Sequence, residues 1–279
     1  MAVAAETRGW NGLHVSGGRK GYADTPMGQV HYRIMGEGTP LLLLHQTPWF
    51  SVQYAKVQPL LAAANIQSIA IDTPGYGFSD LPASQPTIED YANSLPFVLD
   101  ALGIERAGVA GFHTGAAIGA AFAHHHSERT AFLIMDGAPL YTEAEREKRL
   151  SKAHWDQTPK SDGSHLSSRF AYIRDLVGAD TATNESINWS VLSFTMAGEA
   201  EHYGHVAAYS YDMGPAIKAI SAPTLIISRT TDSLHAAAQR IRTMRSDFKY
   251  REFEGGNSQS IYNDPQPWAE VVVDFVRSQ

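Results

Sequence analysis

The sequence predicts an α/β fold: a mostly parallel, doubly wound sheet with a helical lid inserted into it. Three observations carry that expectation. Short apolar runs of strand length (Leu41–Leu44, Gln67–Ile71, Gly108–Ala110, Thr130–Met135, Pro223–Ser228) recur with helical stretches between them, the rhythm of strands buried on both faces. That rhythm stops between about 141 and 213, where charged and aromatic helical stretches carry no clear strand, and then resumes. Finally, Ala107–Ala120 reads A-G-V-A-G-F-H-T-G-A-A-I-G-A, a strand that turns sharply into a small-residue helix between Gly111 and Gly115. Without a Cβ at either glycine, the backbone can hold a strained turn and the helix can lie close to its strands.

Taken in order, residues up to about Pro26 are Gly-rich and weakly patterned, and read as an arm lying on the core. Gln29–Ile34 alternates as a strand and ends in the turn Gly36-Glu37-Gly38. Leu41–Leu44 ends in the loop His45-Gln46-Thr47-Pro48, and Tyr54–Ala64 has helical spacing. The strand Gln67–Ile71 ends at Asp72, and Pro74-Gly75-Tyr76-Gly77 is strong turn chemistry. Thr87 is an N-cap with Glu89 and Asp90 behind it, for a helix running toward Leu102 with a kink at Pro96. Thr130–Met135 leads to Asp136. After the break come Asp232–Arg245 (helix), Lys249–Glu254 (strand) and Pro267–Val276 (helix). The expected division is therefore a core of 1–140 with 214–279, and a cap of 141–213.

Composition limits the function. The 279 residues carry a net charge of −7, which disfavours nucleic acid or an anionic membrane as partners, since both select basic patches. With no cysteine in the chain, disulfides, thiolate metal sites and a Cys nucleophile are excluded. No stretch reaches the roughly 18 apolar residues of a spanning helix, and Met1–Thr7 shows no basic region followed by an apolar core. A cytoplasmic protein acting on a small molecule is expected, with no cofactor and with homo-oligomerisation left open.

Ligands of open parallel sheets bind beyond the carboxyl ends of the strands. His45, His113, Asp136, Asp232 and the loop after Glu254 all fall at such ends, so five polar positions are expected around one cleft. His113 occupies the middle of the sharp turn, where a side chain is lifted above the sheet at a helix N-terminus.

The order and spacing of Leu41–His45 with Pro48, Asp72–Gly77, the turn at His113, His126–Arg129, Pro223–Ile227 with Asp232, and Phe253–Gly255 followed by Asp264-Pro265 resemble the α/β-hydrolase superfamily over nearly the whole chain. The resemblance implies an α/β-hydrolase fold and a triad. Its nucleophile position, usually serine, holds His113, and its acid position holds Asp232. Its histidine position falls at Ser258, with Asn257 just before it. It also implies an oxyanion site from the backbone N–H of Thr114 and one from Gln46 or Thr47.

Four arrangements fit these residues. The favoured one is acid–base catalysis without a cofactor, in which His113, held by Asp232, moves a proton while backbone donors stabilise an enolate or alkoxide. Decarboxylation, C–C cleavage, elimination, isomerisation and hydrolysis by His-activated water all belong to it. The second is a transposed triad, with Ser258 as nucleophile, His113 as base and Asp232 or Asp136 as the orienting acid. The third is a ligand-binding protein on a catalytically dead hydrolase. The fourth and least favoured is a metal held by His45, His113 and a carboxylate; the expectation is no metal. Asp136 equally suits a turn-capping role, and His45 a loop-fixing one. Trp49 and Phe50 are expected to line the pocket and to favour an apolar or aromatic substrate. Among His154, Trp155, Trp189, His202, Tyr203, His205 and Tyr209 of the lid, none is singled out.

Overall fold

The computed structural model describes residues 18–152, 158–178 and 182–279. The apolar runs form one eight-stranded sheet: β1 (Arg19–Thr25), β2 (Gly28–Met35), β3 (Thr39–Leu44), β4 (Ile66–Ile71), β5 (Ala107–Phe112), β6 (Thr130–Asp136), β7 (Thr224–Arg229) and β8 (Lys249–Phe253). Their spatial order is β1-β2-β4-β3-β5-β6-β7-β8. β1 and β2 form an antiparallel hairpin, β2 lies antiparallel to β4, and every later neighbour pair is parallel. The chain winds from β3 to β4 in one direction and returns to β5 on β3's other side, so the carboxyl ends of β3 and β5 flank the switch point where such sheets hold ligands.

The helices are α1 (Gln58–Ala63), α2 (Ile88–Ala101), α3 (Thr114–His125), α4 (Glu143–Leu150), α5 (Ser164–Val177), α6 (Asn184–Ala197), α7 (Tyr203–Ser210), α8 (Gly214–Ala219), α9 (His235–Met244), α10 (Ser260–Asn263) and α11 (Pro265–Arg277). Successive strand side chains point to opposite faces. Leu42 and Leu44 accordingly join the apolar cluster under α2 and α3, and Leu41 and Leu43 the cluster under α1 and α11. All four are fully buried. Close packing of α3 rests on its small residues: a Cβ on Gly119 would stand 3.1 Å from Leu133 and 3.2 Å from Val109.

Several boundaries differ from expectation. Arg19–Thr25 is an edge strand rather than an arm, and only Ala23 of it is fully buried, which is why its pattern is faint. Tyr54–Ala64 divides into a short 3-10 turn at Ser51–Tyr54 and α1. α2 continues through Pro96, and its Thr87–Asp90 capping box is formed as the residue types predict. α9 starts at His235 because the Asp232 carboxylate already accepts the Leu234 N–H. Between β6 and β7 lie α4 to α8 and, among the described residues, no strand. No helix among the described residues is long and apolar enough to cross a membrane.

Candidate active site

β5 ends at Phe112 and α3 begins at Thr114, so His113 makes the whole turn alone, with φ 49° and ψ −112°. Such a backbone costs an L-residue energy and persists only where its surroundings enforce it. Here a Cβ on Gly111 would collide with the backbone of Gly115, and one on Gly115 with that of Leu44. The His113 N–H donates to the Asp136 carbonyl at 2.9 Å, tying the turn to β6. Gly137, at φ +59°, makes room for the imidazole: a Cβ there would lie 2.5 Å from His113 Cδ2.

The imidazole Nε2 is 2.9 Å from Asp232 Oδ2. Burial raises the Asp232 carboxyl pKa, but the charge and hydrogen bond of His113 and the Leu234 N–H outweigh it and hold the group at about 2. Asp232 is therefore an ionised acceptor at neutral pH, and the proton in this contact belongs to His113 Nε2. In the neutral ring Nδ1 then carries the lone pair, and among the described residues it makes no hydrogen bond. His113 keeps 18% of its side-chain surface open, against 4% for Asp232. Both line a cavity of about 460 Å³ at the carboxyl edge of the sheet.

Asp136 does not share this role. Its Oδ1 accepts from Arg229 Nη1 at 2.5 Å and its Oδ2 from Trp268 Nε1 at 3.0 Å, and it does not line the cavity. Burial raises its pKa against the opposing pull of Arg229. His45 also falls outside the cavity. Its Nδ1–H donates to the Gln46 carbonyl at 2.9 Å while Nε2 accepts the Thr73 N–H at 3.0 Å, and burial drives its pKa down. It pins the loop after β3 to the loop after β4. No cluster of three or more His, Cys, Asp or Glu suited to a metal occurs among the described residues.

On the loop after β3, the Gln46 N–H is already committed to Gln53 Oε1 at 3.0 Å, whereas the N–H groups of Thr47 and Thr114 have no acceptor among the described residues. Gln46 Nε2 reaches across the cavity wall to the Ser258 carbonyl at 2.7 Å. Trp49 lines the cavity with its ring edge-on to Tyr262. Phe50 does not: it is buried between Phe78 and Trp189, one residue along an extended segment and so on the opposite side. Asn257 lines the cavity and fastens its loop, donating from Nδ2 to the Val177 carbonyl at 2.9 Å and accepting the Gln259 N–H at Oδ1. Ser258 also lines the cavity, but no hydrogen bond joins its hydroxyl to His113.

The sequence profile of the alpha/beta hydrolase fold matches residues 39–256. The chain belongs to this family. A haloalkane dehalogenase from Psychrobacter cryohalolentis is 42% identical over 78 residues, 26% of either chain. A 2-hydroxymuconate semialdehyde hydrolase from Pseudomonas sp. (strain CF600) is 32% identical over 154 residues, 53% of either chain. The chain thus spans about a quarter to a half of the length of these curated relatives. The enol-lactonase from Burkholderia xenovorans LB400 superposes with a TM-score of 0.75 at 22% identity, covering 92% of this chain and 100% of that one, a likeness of fold.

Within this alpha/beta hydrolase the outer cavity wall comes from the helices between β6 and β7. Of the aromatic and histidine residues noted there in the sequence, His205 and Tyr209 line the cavity, Trp189 is core, and His154 and Trp155 lie outside the described residues. Tyr141, Arg149, Tyr172, Ser190, Phe194 and Gln259 line it without having been anticipated. Their segments carry ordinary amphipathic helix patterns, which do not say which face meets a cavity. Gln259 is the exception in principle: its side chain joins Ser186 at 2.7 Å and Ser190 at 3.0 Å, but only the fold shows that contact.

Proposed function

We propose that this chain is a cofactor-independent enzyme that hydrolyses a small organic substrate through His113, which stands at the family's nucleophile position. The single observation that carries the reading is the His113–Asp232 pair, open on the cavity with Nδ1 uncommitted. Asp232, ionised, holds the Nε2–H tautomer and would stabilise the imidazolium that forms when Nδ1 accepts a proton from water. The N–H groups of Thr47 and Thr114 would receive the negative charge that develops on the substrate oxygen. The segment 141–213 acts as the lid that excludes bulk water. Among the proton transfers open to such a pair, hydrolysis is favoured because the relatives include a hydrolase and a dehalogenase. A serine mechanism through Ser258 fits less well, since a nucleophilic hydroxyl needs its base within hydrogen-bond reach.

The test is a panel of aryl and alkyl esters and enol-lactones run on the wild type, His113→Ala and Ser258→Ala, with fluorophosphonate labelling read by peptide mapping. Turnover lost in His113→Ala, kept in Ser258→Ala, and no serine adduct is the expected result. A Ser258 adduct that disappears in His113→Ala replaces the reading with the transposed triad. Ligand binding with no turnover in any protein makes it a binding protein.

A further inference from the structure

Some arginines of this molecule are paired with carboxylates and others are not. Arg129, Arg146, Arg229, Arg240 and Arg245 each stand against a carboxylate. Arg149, in the last turn of α4, has no carboxylate within ion-pair distance among the described residues. It is nevertheless half-buried and held in place: its guanidinium lies 4.4 Å from the centre of the Tyr141 ring and 5.7 Å from that of Tyr209. All three residues line the cavity that holds His113.

The carboxylate in the cavity wall, Asp232, is engaged by His113. His205, whose ring is stacked on Tyr209 and whose Nδ1 lies 3.9 Å from Glu201 Oε1, has its pKa pushed down to about 4 chiefly by burial, with the neighbouring His113 and Arg149 adding to the shift. At neutral pH it adds no second cation. Trp49, Ile173, Leu176 and Phe194 supply an apolar wall to the same space. A planar guanidinium held by two rings in the wall of this cavity, which also has an apolar side, matches the geometry of a carboxylate.

We propose that Arg149 is the anchor for an anionic group of the substrate, so that this site takes a carboxylic acid with an apolar or aromatic body. The inference rests on the cavity being the substrate site of the reading above and names its substrate class.

The experiment is a ligand-observed NMR titration of the full chain with benzoate and its neutral isostere benzamide, on wild type, Arg149→Gln, Arg149→Lys and His113→Ala. Wild type is expected to bind benzoate about tenfold or more tighter than benzamide, the size of one charge-assisted contact. Arg149→Gln should bring benzoate down to the benzamide affinity while leaving benzamide unchanged, which also shows that the variant is folded. Arg149→Lys should recover part of the preference. Equal affinities in wild type, no benzoate binding at all, or a preference that survives Arg149→Gln each overturns the proposal. His113→Ala should retain the benzoate preference, so loss of the catalytic reading and loss of the anion anchor register in different proteins.

Discussion

Two His–Asp pairs of nearly identical length lie in this molecule, His31–Asp72 at 2.8 Å and His113–Asp232 at 2.9 Å. The first has 4% and 0% of its side-chain surface exposed; the second has 18% and 4%. Asp72 also accepts the N–H of Ser51 at 2.6 Å and of Phe78 at 3.0 Å, while the His31 ring is packed against Tyr22 and Phe78. Burial raises the Asp72 pKa, but these donors outweigh it and the net shift is downward. Both carboxylate oxygens there staple two loops to β2. Asp232 likewise spends one oxygen on the start of α9 and the other on an imidazole, but here both partners line the cavity. The same two residue types make a structural clasp where the walls close and, in the function proposed above, a proton-transfer pair where one wall opens.

The largest effect is expected at the closed pair. Asp72→Ala is expected to cost about 3–5 kcal/mol in urea denaturation, because it strands a buried ring, the buried Ser51 N–H and the part-buried Phe78 N–H, while the fraction that remains folded keeps its turnover. At the open pair the order reverses. Asp232→Asn should lower turnover about 10²–10⁴-fold, the scale of a general base held in the wrong tautomer, with a loss of about 2 kcal/mol or less in stability, the scale of its depressed pKa. A loss of stability like that of Asp72→Ala would mean the open pair is also a clasp. Gly137→Ala sharpens the point by moving the ring without touching either acid or base: the positive φ and the contact with Cδ2 should cost about 1–3 kcal/mol and reduce turnover at least about tenfold.

The smallest effect is proton-linked. His205 resists protonation in the folded state down to about pH 4, whereas the unfolded chain takes up that proton near pH 6.5. Stability should therefore fall as pH drops from about 6.5 to 4 and level off below, by about 1–2 kcal/mol because 28% of the ring surface remains open. His205→Gln should flatten that slope in thermal melts across the range. The contribution of Asp232 lies in a separate window. Its folded pKa is depressed to about 2, so its stabilisation is full above about pH 4 and is lost between 4 and 2.

The apolar runs and the paired glycines specify the sheet and the place of the turn. Leu41–Leu44 and its sister runs are apolar at every position, which leaves a strand no solvated face, and Gly111 and Gly115 mark where β5 and α3 come too close for a Cβ. The sequence also brought His113, Asp136 and Asp232 to one edge, because all three end parallel strands or follow them directly. Which acid meets the imidazole was decided only by tertiary structure. Arg229 and Trp268, 93 and 132 residues away in the chain, occupy both oxygens of Asp136 and leave Asp232 for His113. The same holds for His45, drawn inward by Thr73, for Phe50, turned into the core behind Trp49, and for Arg149, whose helix pattern is that of any exposed amphipathic turn. Periodicity records which side of an element is apolar. It does not record which distant group will stand opposite a polar side chain, and that partner decides whether the side chain braces the fold or faces the cavity.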